Sequence, residues 1–145
     1  MRYYEDFEVG ESRTFGGYTI TESEIIEFGE QFDPQPYHTD PEAAEESMYG
    51  GLIASGWHTT ALTMRLLTDH FTAETDFLGG TAVDELRWTE PVRPGDTLGV
   101  TIEIVAKEPS TARFGRVRTR IRVHTRSGDT VVTMEAVMLF GYRDD

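Results

Sequence analysis

Cysteine is absent from the 145 residues, which excludes disulfides, thiolate metal sites and a cysteine nucleophile. Lysine is nearly absent: Lys107 is the only one among 13 basic residues, set against 26 acidic ones for a net charge of −13. A surface so short of positive charge lacks the basic face that phosphate neutralisation needs, which argues against nucleic acid as a partner and equally against an anionic membrane. No stretch approaches the ~18 apolar residues of a membrane span, and no basic segment precedes an apolar run at the N-terminus, so neither export nor membrane insertion is expected and the predicted location is cytoplasmic. Linker-like tracts, low-complexity segments and fixed-period repeats are missing as well. The length suits one domain, residues 1–145, with a sizeable core.

The acid excess has a physical consequence. Like charges at this density repel one another in dilute buffer and are tolerated where salt shortens the Debye length, to about 3 Å at 1 M. The composition is that expected of a halophilic protein with a saline cytoplasm around it, and it predicts lower stability at low salt. A merely acidic mesophilic protein is the alternative.

Hydrophobic periodicity divides the chain into a helical first half and a strand-rich second half. Ser12 to Phe15 reads as a short strand. Thr21 and Glu24 have the spacing of a capping box, and Ile25, Phe28 and Phe32 then recur on one helical face. Asp40 and Pro41 suit the N-cap and first residue of a short helix reaching Glu46 or Ser47. A longer helix from Ser55 or Gly56 to near Phe71 carries Trp57, Ala61, Leu62, Met64, Leu66 and Leu67, with so few polar interruptions that burial on most sides is expected. Strands follow over Thr81–Trp88, Leu98–Val105, Arg116–Thr125 and Thr130–Tyr142, the last a mixed apolar run that predicts a central strand covered on both faces. Arg116, Arg118, Arg120 and Arg122 share one strand face. Pairing with Glu103, Glu135 and other carboxylates on neighbouring strands is the first reading, and binding of coenzyme A phosphates the alternative. One long helix before four sequential strands, with a short strand at the start, is an α+β pattern in which an antiparallel sheet wraps the helix.

The segment Phe28-Gly-Glu-Gln-Phe-Asp-Pro-Gln-Pro-Tyr-His-Thr-Asp40 carries the chemistry. Pro34 and Pro36 push Asp33 and Gln35 out of the helical region, so the preceding helix must end at Asp33, and a rigid connector presents a carboxylate, Asp33, and an imidazole, His38. Such a pair can share a water or a substrate proton near neutral pH. Taken alone, Asp33 fits a helix cap or a turn residue equally well. Further on, Gly50-Gly-Leu-Ile-Ala-Ser-Gly56 leads into the long helix, where unpaired N–H groups at a helix start favour negative charge and Gly56 permits close approach of a carbonyl oxygen. Tight packing of the helix is the alternative role for Gly56. His58 and His70 read as packing or surface residues, because neither has a partner suited to metal binding.

The run Asp33-Pro-Gln-Pro-Tyr-His38, followed by Ala43-Ala44 and Gly50-Gly-Leu-Ile-Ala-Ser-Gly56, resembles the hydratase motif of the MaoC-like dehydratases, a hot-dog-fold family that includes R-specific enoyl-CoA hydratases. The resemblance implies that Asp33 and His38 are the catalytic acid and histidine and that Gly56 supplies the N–H that polarises a thioester carbonyl. Gln35 stands where the family commonly has asparagine, and Ser55 where it commonly has histidine. Gln35, Ser55, Trp57 and Tyr49 are the candidate substrate-binding residues, Tyr49 reading first as core and second as acyl pocket. The family pairs its sheets into homodimers with the thioester site at the subunit interface, so a homodimer or higher homo-oligomer is expected.

The implied activity is reversible addition of water to a trans-2-enoyl-CoA, giving a 3-hydroxyacyl-CoA of R configuration. An acyl-CoA thioesterase on the same fold and a non-catalytic acyl-CoA binding module are the competing readings. Neither a metal nor an organic cofactor is expected, since the thioester itself acidifies its α-position and coenzyme A arrives as part of the substrate.

Overall fold

The computed structural model describes residues 1–144. Strand β1 (Ser12–Thr19) precedes helices α1 (Glu22–Phe32), α2 (Pro36–Thr39), α3 (Pro41–Glu45) and α4 (Gly56–His70), and strands β2 (Phe77–Trp88), β3 (Thr97–Pro109), β4 (Phe114–Thr125) and β5 (Thr130–Gly141) complete the chain. The strands form one antiparallel sheet in the order β1-β3-β4-β5-β2. It curves around α4 in the hot-dog arrangement.

Inward-facing positions alternate along β3 and β4, where Val100 pairs with Val123 and Ile102 with Ile121, and Ile121 pairs in turn with Met134 of β5. These residues are buried against α4, whose buried stripe is His58, Thr59, Leu62, Thr63, Leu66 and Leu67. Such i, i+4 spacing is what a single sheet-facing side of a helix requires. Strand β5 is buried on both faces over much of its length, as its apolar run predicts. The α1 capping box forms as predicted, with Glu24 N–H donating to Thr21 Oγ1 at 3.2 Å and Thr21 N–H to Glu24 Oε1 at 3.3 Å.

Several expectations are corrected. Helix α4 is not buried on most sides: Trp57 is 59% exposed and Met64 43%, and Ala61 lies on the same open flank. Apolar composition by itself does not tell a helix enclosed on all sides from one enclosed on one. Strand β1 continues past Phe15 to Thr19, because a bulge at Gly16, with φ +110°, lets pairing with β3 resume at Tyr18. Strand β2 begins at Phe77 rather than Thr81, its glycines being carried by irregular pairing with β5. The connector after Asp33 contains one helical turn, α2, with Pro36 as its first residue.

Arg118 and Arg120 of β4 pair with carboxylates as the structural reading predicts, and Arg122 does not. Arg118 meets Asp84 at 3.1 Å and Glu135 at 3.5 Å, and Arg120 meets Glu103 at 3.0 Å. Arg122 donates to Thr130 Oγ1 at 3.2 Å.

Candidate active site

Asp33 is the C-cap of α1, and its backbone, at φ −153° and ψ 71°, has left the helical region as the following proline demands. His38 lies one helical turn later, in α2. That turn packs closely on α1 because position 29 is glycine: a Cβ there would stand 2.8 Å from His38 O and 3.0 Å from His38 Cβ. The sequence thus brings Asp33 and His38 together by three local devices, a proline stop, a proline-started turn and a gap in the α1 surface.

A buried stretch, Leu52 to Ser55, runs from the turn after α3 to the start of α4. Ile53 N–H donates to Tyr37 O at 3.1 Å, and Ala54 N–H donates to Val92 O at 2.8 Å. Ile53 O lies 2.7 Å from His38 Nδ1. A carbonyl can only accept, so Nδ1 carries the proton and Nε2 is the nitrogen left for chemistry. His38 Nε2 faces Asp33 Oδ2 at 3.3 Å. The same oxygen accepts the Ser55 hydroxyl at 2.8 Å, and Gln35 Nε2 donates to Asp33 Oδ1 at 3.3 Å. Two neutral donors, the Ser55 hydroxyl and the Gln35 amide, therefore hold the carboxylate from which His38 Nε2 is 3.3 Å away, and they fix its orientation. Ser55 is fully buried and provides no side-chain cap to α4, because its hydroxyl is committed to Asp33.

Among the described residues, Gly56 N–H has no protein acceptor. It lies at the positive end of a 15-residue helix. A cavity of about 270 Å³ has His38, Gly56, Tyr37 and Tyr49 in its wall. Tyr49 is accordingly half-buried cavity lining, not core, its ring 5.1 Å from that of Tyr37 and its carbonyl held by Arg93 Nη2 at 2.7 Å. Asp33, Gln35, Ser55 and Trp57 do not line the cavity, and Trp57 is exposed.

Trp88 is the residue that sequence reasoning misses. Its indole packs so closely on Gly56 that a Cβ there would come within 2.5 Å of the ring. No local signal marks Trp88, because the end of β2 reaches α4 only through its pairing with β5. Ile53 escapes notice for a related reason: its contribution is a backbone carbonyl.

His58 is buried, its ring parallel to that of Phe28 at 4.6 Å, and its Nδ1 has no partner among the described residues. Burial pushes its pKa below the ordinary histidine value, against the weaker pull of Glu24. It is a packing histidine, as expected. His70 is exposed and stacks on Phe15. Among the described residues, no three histidine or acidic side chains gather as a metal site would require.

Residues 6–127 match the family model described as MaoC like domain. Over 99% of both chains the structure resembles that of a MaoC-like dehydratase from Rhodospirillum rubrum, at a TM-score of 0.89 and 36% identity. The R-hydratase PhaJ1 from Pseudomonas aeruginosa is similar at a TM-score of 0.77 and 30% identity, over 97% of this chain and 86% of that one. An (R)-specific enoyl-CoA hydratase from Rhodospirillum rubrum is 28% identical over 141 residues, 96% of this chain and 92% of its own. The match spans the turn from Asp33 to His38, the central helix and most of the sheet, and the chain belongs to the MaoC-like dehydratase family.

Proposed function

We propose that the protein reversibly hydrates a trans-2-enoyl-CoA to an (R)-3-hydroxyacyl-CoA. The observation that carries this reading is the tautomer imposed on His38: with Nδ1–H held by Ile53 O, the free Nε2 faces Asp33 Oδ2, and His38 lines the same cavity as Gly56, whose N–H is unpaired. A water held between Asp33 and His38 loses a proton to the pair as its oxygen bonds to the β-carbon. The electrons of the double bond move onto the thioester oxygen, which accepts from Gly56 N–H. The α-carbon then takes a proton from the pair, and the enolate collapses to the saturated thioester. Ser55 and Gln35 keep the Asp33 carboxylate aimed throughout. General acid–base catalysis is typically worth about 10²- to 10⁴-fold and one oxyanion donor about 10²- to 10³-fold.

No cofactor enters this scheme, because the thioester carbonyl stores the electron pair between the two proton transfers. A homodimer in the cytoplasm is part of the same proposal. Strand β2 is a sheet edge bearing exposed Leu78 and Val83, a surface that a second copy would cover. The test is loss of enoyl absorbance from crotonyl-CoA in molar potassium chloride, with free coenzyme A titrated in parallel and the product's configuration read by a stereospecific dehydrogenase. Absorbance loss, R product and no free thiol are expected. Release of free coenzyme A at the same rate would point instead to thioester hydrolysis.

A further inference from the structure

The thioester proposed as substrate carries phosphate groups at its far end, and in a chain of net charge −13 their partner has to be a cation that no carboxylate already neutralises. Most arginines are already paired. Arg13, Arg93, Arg113, Arg122 and Arg126 have no carboxylate within 4.0 Å among the described residues. Of these, only Arg93 is hydrogen-bonded to the wall of the His38 cavity, its Nη2–H donating to Tyr49 O at 2.7 Å. The turn that carries it is fixed on both sides: Val92 O accepts Ala54 N–H at 2.8 Å, and Arg93 N–H donates to Asp96 Oδ2 at 2.8 Å. The guanidinium lies against Gly51, where a Cβ would stand 3.4 Å from Arg93 Nη1. A second hollow of about 230 Å³ adjoins the cavity, with Glu90, Pro91 and Val131 in both walls. Arg93 is the only cation that lines it, beside the carboxylates of Glu90, Asp96 and Asp129.

We propose that Arg93 binds a phosphate of the coenzyme A moiety, with the pantetheine arm running from the His38 cavity through the adjoining hollow. The ligand in this proposal rests on the hydratase reading. One N–H of the guanidinium is committed to Tyr49 O. The others belong to a planar fork whose geometry matches two phosphate oxygens at once. Arg93 is exposed, so a phosphate reaches it from solvent. Without Arg93 the hollow is lined by carboxylates alone among its charged residues, and these repel the same phosphates. Loss of the side chain therefore removes an attraction and uncovers a repulsion. A charge-assisted hydrogen bond is by itself worth about tenfold or more in affinity.

The experiment compares wild type, Arg93→Gln and Arg113→Gln on thioesters of coenzyme A and of pantetheine, which ends before the first phosphate. Arg113 lies in the turn between β3 and β4, at the other end of the sheet from the cavity, so its substitution makes the same charge change away from the site. Calorimetry in moderate salt reads binding of butyryl-CoA and butyrylpantetheine, and absorbance reads kcat/KM for the crotonyl thioesters. In Arg93→Gln both quantities fall about tenfold or more for the coenzyme A thioesters and stay within twofold for the pantetheine thioesters. Arg113→Gln leaves all of them within twofold. Equal losses on the two carriers assign Arg93 to holding Tyr49 and overturn the proposal. A coenzyme A loss that Arg113→Gln reproduces is an effect of net charge and overturns it too, as does a loss under twofold on every thioester. A wild type whose preference for butyryl-CoA over butyrylpantetheine depends on Arg93, yet which hydrates neither crotonyl thioester, overturns the hydratase reading and leaves the phosphate contact standing.

Discussion

At the scale of single residues the site depends on distances that a methyl group would spoil. Gly29 sits inside α1, where alanine ordinarily gains up to about 1 kcal/mol over glycine by helix propensity. Here the added Cβ would meet the backbone oxygen of His38 at 2.8 Å. Backbone cannot swing aside as a side-chain tip can, and overpacking typically costs about 1 to 3 kcal/mol. Gly29→Ala is therefore predicted to destabilise, reversing the propensity sign, and to lower hydration by about tenfold or more as His38 is displaced from Asp33. Denaturant unfolding and the crotonyl-CoA assay check both halves. A more stable, equally active variant would show that α2 is free to move. The roles of Asp33 and His38 follow from residue types and prolines that any reader of the sequence can see. Those of Ile53 O and Trp88 do not, because a carbonyl has no sequence signature and the tryptophan arrives from a strand whose register is fixed elsewhere.

At the scale of elements, α1 and α4 are joined through a neutral, buried histidine. His58 keeps an unpaired Nδ1 against the face of Phe28, and burial holds its pKa below the ordinary value. The unfolded chain therefore takes up this proton at a higher pH than the folded chain does. Stability from this residue is complete above the ordinary histidine pKa of about 6.5 and is lost as pH falls below it toward the depressed folded value. His58→Leu is predicted to be less sensitive than wild type to acidification from pH 7.5 to pH 5, as read by urea midpoints. Parallel pH dependence in the two proteins would contradict a neutral His58. The same pair of helices shows what element patterns reveal. The capping box and the Ile25, Phe28, Phe32 spacing locate α1 correctly because those signals are local, but Phe32 is 66% exposed and does not join the docked face. The degree of enclosure of α4 was not legible, since Trp57 and Met64 repeat at helical intervals whether they face a sheet or open space. Strand ends were blurred for the same kind of reason: the bulge at Gly16 and the irregular start of β2 are settled by partners far away in the chain.

At the scale of the whole molecule, charge is the dominant property. With a net charge of −13 and only scattered ion pairs on the sheet surface, the folded chain repels itself wherever screening is weak. Its melting temperature is predicted to rise from dilute buffer to molar potassium chloride, with a sedimenting species of about twice 16.4 kDa at the high-salt end. Melting that ignores salt would remove the halophilic reading, and a monomer throughout would remove the dimer. The chemistry proposed for the fold is tested most directly by enoyl-CoA hydration in Asp33→Asn and His38→Ala, measured in molar salt beside melting curves of the same proteins. Both substitutions should lower kcat by about 10²-fold or more while melting stays close to that of wild type, since each removes a proton carrier. Folded variants within a few-fold of wild type on every enoyl-CoA would contradict the account.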